Sequence, residues 1–147
     1  MKPLVEIQNL VKYFDLGGDQ RVHAVDDVSL SINPREIVGL VGESGSGKST
    51  LGKTVLGLHD KTDGNVSFAG QVLPQRYRAS DFRAMAPKMH MIFQDPYSSL
   101  NPRMTVGEIV GEGLRLQPEL SASDVQDRVA HWLQVGGLSP DDRARYP

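Results

Sequence analysis

The stretch Gly42-Glu43-Ser44-Gly45-Ser46-Gly47-Lys48-Ser49 fits the pattern G-x-x-x-x-G-K-[ST] at every fixed position. The glycines Gly42, Gly45 and Gly47 open backbone conformations that side chains forbid. The N–H groups of the loop, through Ser44 and Ser46, can therefore turn toward one anion. A helix that begins at the loop aims its positive end at the same point. Lys48 adds a mobile point charge that reaches the β- and γ-phosphates of a nucleotide. The Ser49 hydroxyl is placed to ligate Mg²⁺, and the Thr50 hydroxyl to make a further phosphate contact. The chemistry implied is the binding of ATP with Mg²⁺. A chance match is expected in about one chain in a hundred of this length.

The motif requires a strand before it and a helix after it. Ile37-Val38-Gly39-Leu40-Val41 is almost wholly apolar and reads as a strand buried on both faces, or as a fragment of buried helix. Leu51, Val55, Leu56 and Leu58 recur at helical spacing, which predicts a helix over 48–58. Upstream, Val5, Ile7 and Leu10 begin a strand, and Gly17-Gly18 is a turn. Val22, Ala24, Val28, Leu30 and Ile32 predict a half-buried strand pair with a kink near Asp26-Asp27. Asn33-Pro34-Arg35-Glu36 is a turn.

Beyond the motif, Asp63-Gly64 turns into a short strand at 65–70, and a short helix is expected over 80–85. Met89, Met91, Ile92 and Phe93 predict another strand, ending at Gln94-Asp95-Pro96. Thr105-Val106-Gly107-Glu108 has the spacing of a capping box, followed by Val106, Ile109, Val110 and Leu114 on one helical face. A second helix starts near Ser121–Asp124, carries Val125, Val129, Trp132 and Leu133, and stops at Gly136-Gly137.

Composition narrows the class. With 147 residues, 39% hydrophobic and 23% charged, the chain suits a globular domain with a real core. A net charge of −2 offers no basic field for nucleic acid or an anionic membrane. Cysteine is absent, which excludes disulfides and thiolate metal sites. No apolar run approaches the roughly 20 residues of a membrane span, so the chain reads as cytoplasmic. His23, His59, His90 and His131 lack metal-ligand spacing and read as surface or strand residues. Trp132 is expected in a core or a docking contact. Arg76, Arg78 and Arg83 form a loose basic patch, read as solvated surface.

Further segments carry a resemblance. Gly42 to Thr50 with Leu51-Gly52-Lys53 resembles the Walker A segment of ABC transporter ATPases. Met91-Ile92-Phe93-Gln94-Asp95-Pro96 resembles that family's Q-loop. Tyr97-Ser98-Ser99-Leu100-Asn101-Pro102-Arg103-Met104-Thr105-Val106 is similar to the form found in oligopeptide and dipeptide importers. Asp142-Arg143-Ala144-Arg145-Tyr146-Pro147 resembles the stretch before the family's signature motif. The likeness spans essentially the whole chain, in order and spacing.

The resemblance implies an α/β fold, a P-loop NTPase of ABC type. A β-rich nucleotide-binding part is expected over about 1–95, and the start of a helical subdomain over about 96–147. It implies that Lys48 and Gln94 serve catalysis, that Gln94 with Ser49 contacts Mg²⁺, and that Gln94 senses a membrane partner. It implies an aromatic platform for adenine near the N-terminus. Tyr13 and Phe14 are both candidates, family spacing after Lys12 favours Phe14, and packing in the β subdomain is the alternative for either. Implied partners are membrane-spanning permease subunits and a second ATPase subunit, in a homo- or heterodimer. The implied location is peripheral, on the cytoplasmic face of the plasma (inner) membrane.

The family's S-G-G-Q signature, Walker B aspartate, catalytic glutamate and switch histidine are not found among these residues. The resemblance therefore implies the N-terminal part of a longer protein. Two expectations follow. These residues alone do not turn over ATP, because phosphoryl transfer needs a held metal and a positioned water. The apolar runs at Ile37–Val41 and Met89–Phe93 lie open on one side or edge. The leading function is the ATP-binding subunit of an importer, with peptides as the solute. The alternatives are a soluble, non-transport ABC ATPase and a catalytically inactive nucleotide-binding fragment. Ser98-Ser99-Leu100-Asn101-Pro102 favours the importer.

Overall fold

The computed structural model describes residues 2–95 and 98–147. The strand periodicity near the N-terminus yields β1, Val5–Gly17, and β2, Gln20–Ile32. They form an antiparallel hairpin in which Val5 pairs with Ile32 and Phe14 with Val22. The turn uses Gly17 and Gly18 at φ 95° and 60°, in the left-handed region that glycine enters without a Cβ clash. β2 is one continuous strand, and the kink expected at Asp26-Asp27 is a ladder irregularity within it. Asn9 (φ 48°) and Asp27 (φ 51°) face each other there. The Asn9 amide donates to Asp27 Oδ1 at 2.8 Å, and its backbone N–H donates to Ser29 Oγ at 2.8 Å. Side chains thus bond groups where the ladder is irregular.

β3, Asp63–Phe68, pairs with the other edge of β1, and β4, Gln71–Val72, pairs with β3. The sheet order is β2-β1-β3-β4, antiparallel throughout. Ile7, Leu10, Val25 and Val66 form the buried side of the sheet's core, joined by Leu51, Leu73 and Met85. Leu51 comes from α1, Lys48–Val55, and Met85 from α2, Ala79–Met85. Burying one such side chain contributes about 1.5–3 kcal/mol. α1 is shorter than the periodicity predicts. Gly57, at φ 76°, ends it, and a Cβ there would lie 2.3 Å from the Tyr77 ring.

Two expected strands are corrected. Ile37–Val41 and Met89–Phe93 have no ladder partner among the described residues and adopt neither strand nor helix. Ile37 is 98% exposed and Val41 95%, so that run is solvated rather than buried on both faces, and in the second run Ile92 is 96% exposed while Met89 packs against the core. A strand is held by its neighbours' hydrogen bonds, and an apolar sequence alone does not provide them.

Contacts divide the chain into two compact units, Met1–Met91 and Ile92–Pro147. The second holds α3, Val106–Arg115, α4, Ala122–Val135, and a 3₁₀ helix, Pro140–Ala144. Thr105 caps α3 and Glu108 reaches back to the Thr105 N–H at 2.7 Å, as the spacing requires. Ser121 and Asp124 do the same for α4. Val125, Val129 and Leu133 pack with Val106, Val110, Leu114 and Leu120. Trp132 is not in this core: it is 53% exposed, with its ring edge-on to His131. No helix among the described residues is long and apolar enough to cross a membrane.

Candidate functional site: the glycine-rich loop and its surroundings

The loop from Gly42 leads straight into α1, as the motif requires. Gly45 and Gly47 hold φ 81° and 88°. The two positions differ in their reasons. A Cβ on Gly45 would meet nothing within 4 Å, whereas a Cβ on Gly47 would lie 2.0 Å from the Ala24 carbonyl oxygen. Gly47 is thus the point at which β2 lies against the loop. A Ser46 N–H bond to the Glu43 carbonyl at 3.2 Å makes the internal turn, and the Leu51 N–H donates to the Gly47 carbonyl at 2.8 Å to start the helix.

Lys48 folds back over the loop. Its Nζ donates to the carbonyls of Gly42 and Glu43 at 2.7 and 2.6 Å and to Ser46 Oγ at 3.2 Å. The ammonium's three donors are matched by three acceptors, all from the loop itself. The first turn of α1 carries no acidic side chain, and no side chain caps its N-terminus. The positive end of the helix therefore lacks a built-in anion. Ser44 and Ser49 are exposed, and Thr50 is half-buried. Such a cradle fits a phosphate group: positive-φ glycines, an uncapped helix start and one lysine at its mouth.

The two aromatic candidates differ in their surroundings. Tyr13 stacks on His23 with centroids 3.8 Å apart, its hydroxyl donates to Asp26, and Arg21 lies 5.9 Å from its ring. The Asp26 hydrogen bond raises the Tyr13 pKa above its ordinary 10.0. Phe14 is half-buried, meets the His59 ring edge-on at 5.2 Å and has the Lys12 ammonium 4.7 Å from its centroid.

Gln94 lies in the second unit, at an exposed bend beside Asp95. Ser98 and Ser99 hydroxyls donate to the Asp95 carbonyl at 3.3 and 2.7 Å. Pro96 and Tyr97 of the Q-loop-like segment lie outside the described residues. No group of three or more His, Asp or Glu among the described residues could hold a metal ion.

Two neighbours of the site were not legible in advance. The Ala24 carbonyl has no sequence signature, because it is backbone. His59 offers only a residue type, and its contact with Phe14 depends on how α1 meets the hairpin.

The ABC transporter family matches residues 25–146, from the second strand through the loop to the last helix. The chain belongs to the ABC transporter family. Among curated relatives, the oligopeptide transport ATP-binding protein OppF of Salmonella typhimurium is 43% identical over 155 residues, which cover 99% of this chain and 46% of the relative. OppF of Bacillus subtilis is 43% identical over 145 residues, covering 98% and 47%. The chain thus spans about half the length of the curated relatives it matches. A dimeric ATP-binding cassette in a post-hydrolysis state, bound to ADP and Pi, superposes with a TM-score of 0.83 at 25% identity, over 97% of this chain and 61% of that one. A Clostridium perfringens cassette that is part of an ABC transporter complex superposes with a TM-score of 0.74 at 20% identity, over 99% of this chain and 55% of the other, and shows the fold alone. The fold is that of the ABC ATPase cassettes, a mixed α/β arrangement whose sheet among the described residues is antiparallel.

Proposed function

We propose that the chain is the nucleotide-binding part of the ATP-binding subunit of an ABC importer, taking Mg²⁺-ATP on the loop 42–49 and serving peptide uptake. The observation that carries the reading is the Lys48 clamp on Gly42 and Glu43 over an uncapped helix start. It keeps the cation at the loop's mouth without an acidic partner. Of its three bonds, that to Ser46 Oγ is the longest, and a phosphate oxygen can replace it. The N–H groups from Ser44 to Ser49, other than that of Ser46, would hold the remaining phosphate oxygens. Ser49 would be a Mg²⁺ ligand at the loop, where the ion neutralises phosphate charge, and Gln94 is kept as a Mg²⁺ contact on the family resemblance alone. Phe14 is the adenine platform in this reading, since Tyr13 is already stacked on His23 and bonded to Asp26.

Peptide uptake rests on similarity to oligopeptide transport ATP-binding proteins. Permease subunits and a second ATPase subunit are the partners, at the cytoplasmic face of the membrane. Hydrolysis of ATP belongs to a protein of the relatives' length, with Lys48 and Gln94 among its catalytic groups. Calorimetric titration of the chain with Mg²⁺-ATP, with Lys48→Ala as control, tests the reading. Saturable binding lost in the variant supports it. Equal binding by both proteins overturns the role of the loop.

A further inference from the structure

α1 touches the β1–β2 hairpin at both of its ends. At its start, Gly47 lies against the Ala24 carbonyl, close enough to exclude a Cβ. Just past its end, the His59 imidazole meets the Phe14 ring with planes at 88° and centroids 5.2 Å apart. His59 moves with the helix, because its N–H donates to the Lys53 carbonyl at 3.3 Å, and the Leu58 N–H donates to the same oxygen at 2.8 Å. The helix that opens at the phosphate cradle thus ends at a ring contact to Phe14.

We propose that His59 is a positioning residue for nucleotide binding: it fixes the Phe14 ring in the orientation on which the base stacks. The proposal rests on Phe14 being the adenine platform. Among the described residues, Lys12 makes a cation–π contact with that ring and His59 a ring contact. The lysine head is on a long flexible stem and can yield its place to a flat base. His59 is half-buried, and its backbone is tied to α1, so it stays. Burial, with the charges of Lys53 and Lys12, holds the imidazole pKa below its ordinary 6.5, which favours the neutral ring beside Phe14. Such a pair corresponds to about two- to tenfold in an equilibrium constant.

The test compares two ligands, Mg²⁺-ATP and Mg²⁺-tripolyphosphate, which shares the phosphates and has no base. Calorimetry on the chain would cover the wild type, His59→Ala, His59→Phe, Phe14→Ala and Lys48→Ala. The expected result is a loss of about two- to tenfold for ATP in His59→Ala, with tripolyphosphate unchanged. His59→Phe keeps an aromatic edge and restores ATP affinity. If His59→Ala fails to fold, the His59→Phe comparison of the two ligands carries the test, and a loss for both ligands in that variant overturns the proposal. Unchanged ATP affinity in His59→Ala, with a loss in Phe14→Ala, overturns the role of His59 and leaves the platform standing. Unchanged ATP affinity in Phe14→Ala, with binding lost in Lys48→Ala, removes the platform and this proposal with it, and leaves the phosphate cradle intact.

Discussion

Lys48 is bonded to the residue that opens its own loop: its Nζ donates to the Gly42 carbonyl at 2.7 Å, across six positions of sequence. With the Glu43 bond at 2.6 Å, this makes the ammonium a clasp on the loop, besides its proposed phosphate contact. Lys48→Ala removes both roles. Hydrogen bonds to a charged group contribute about 1.5–3 kcal/mol each, so Mg²⁺-ATP affinity is expected to fall by about tenfold to a hundredfold or more. Lys48→Arg is expected to fall nearly as far, because a planar guanidinium does not reproduce a compact ammonium seated on two carbonyls. Titration calorimetry of both variants checks this.

The two left-handed glycines of the loop should respond differently to alanine. Gly45→Ala meets open space and carries only the backbone penalty, about 1–2 kcal/mol. Gly47→Ala adds an impossible approach of 2.0 Å to the Ala24 carbonyl, so the loop must leave β2. Urea unfolding midpoints should drop clearly further for Gly47→Ala. Equal drops would mean that the β2 contact is not part of the folded loop.

Lys61 is a buried cation, 6% exposed, whose Nζ donates to the Leu73 carbonyl at 2.9 Å. Burial lowers its pKa below the ordinary 10.5. Between the lowered value and 10.5 the unfolded chain binds more protons than the folded one, so stability rises with pH across that window. Below the window the cost of burying the charge is fully present. Lys61→Met keeps the stem and removes the charge. Its urea midpoint is expected to be higher than the wild type's near neutral pH, and its pH profile to be flat where the wild type climbs. A wild-type profile that is level approaching pH 10.5 would contradict this.

The helix caps of the second unit also make stability rise with pH, but in the acid range and because their charged forms are favoured. The Thr105 backbone N–H and hydroxyl lower the Glu108 pKa from its ordinary 4.5, and Ser121 lowers that of Asp124 from 3.8. Their contribution is fully present above those ordinary values and is lost as pH falls through the lower folded ones. Glu108→Gln and Asp124→Asn should each flatten the acid limb of the helical circular-dichroism signal. An acid limb identical to the wild type's would show that the caps do not govern it.

Much of the site was legible because its geometry is local. The loop needs glycines that tolerate positive φ, a lysine and hydroxyls at fixed offsets, and a helix that starts at once, all between Gly42 and Thr50. The same holds for Thr105 with Glu108 and Ser121 with Asp124, since a capping box closes within one turn. The Gly17-Gly18 hairpin turn also follows from neighbouring residues.

What only the tertiary structure decided are the contacts between residues far apart in sequence. Gly47 against Ala24, Phe14 against His59, and the burial of Lys61 beneath Leu73 arise from packing and leave no periodic trace. The Ile37–Val41 run shows the same limit from the other side. A helix closes its hydrogen bonds within its own segment, so periodicity and caps were enough for α3 and α4, and the motif and periodicity for the start of α1. A strand takes its hydrogen bonds from a neighbour, and apolar residues cannot say whether one is there.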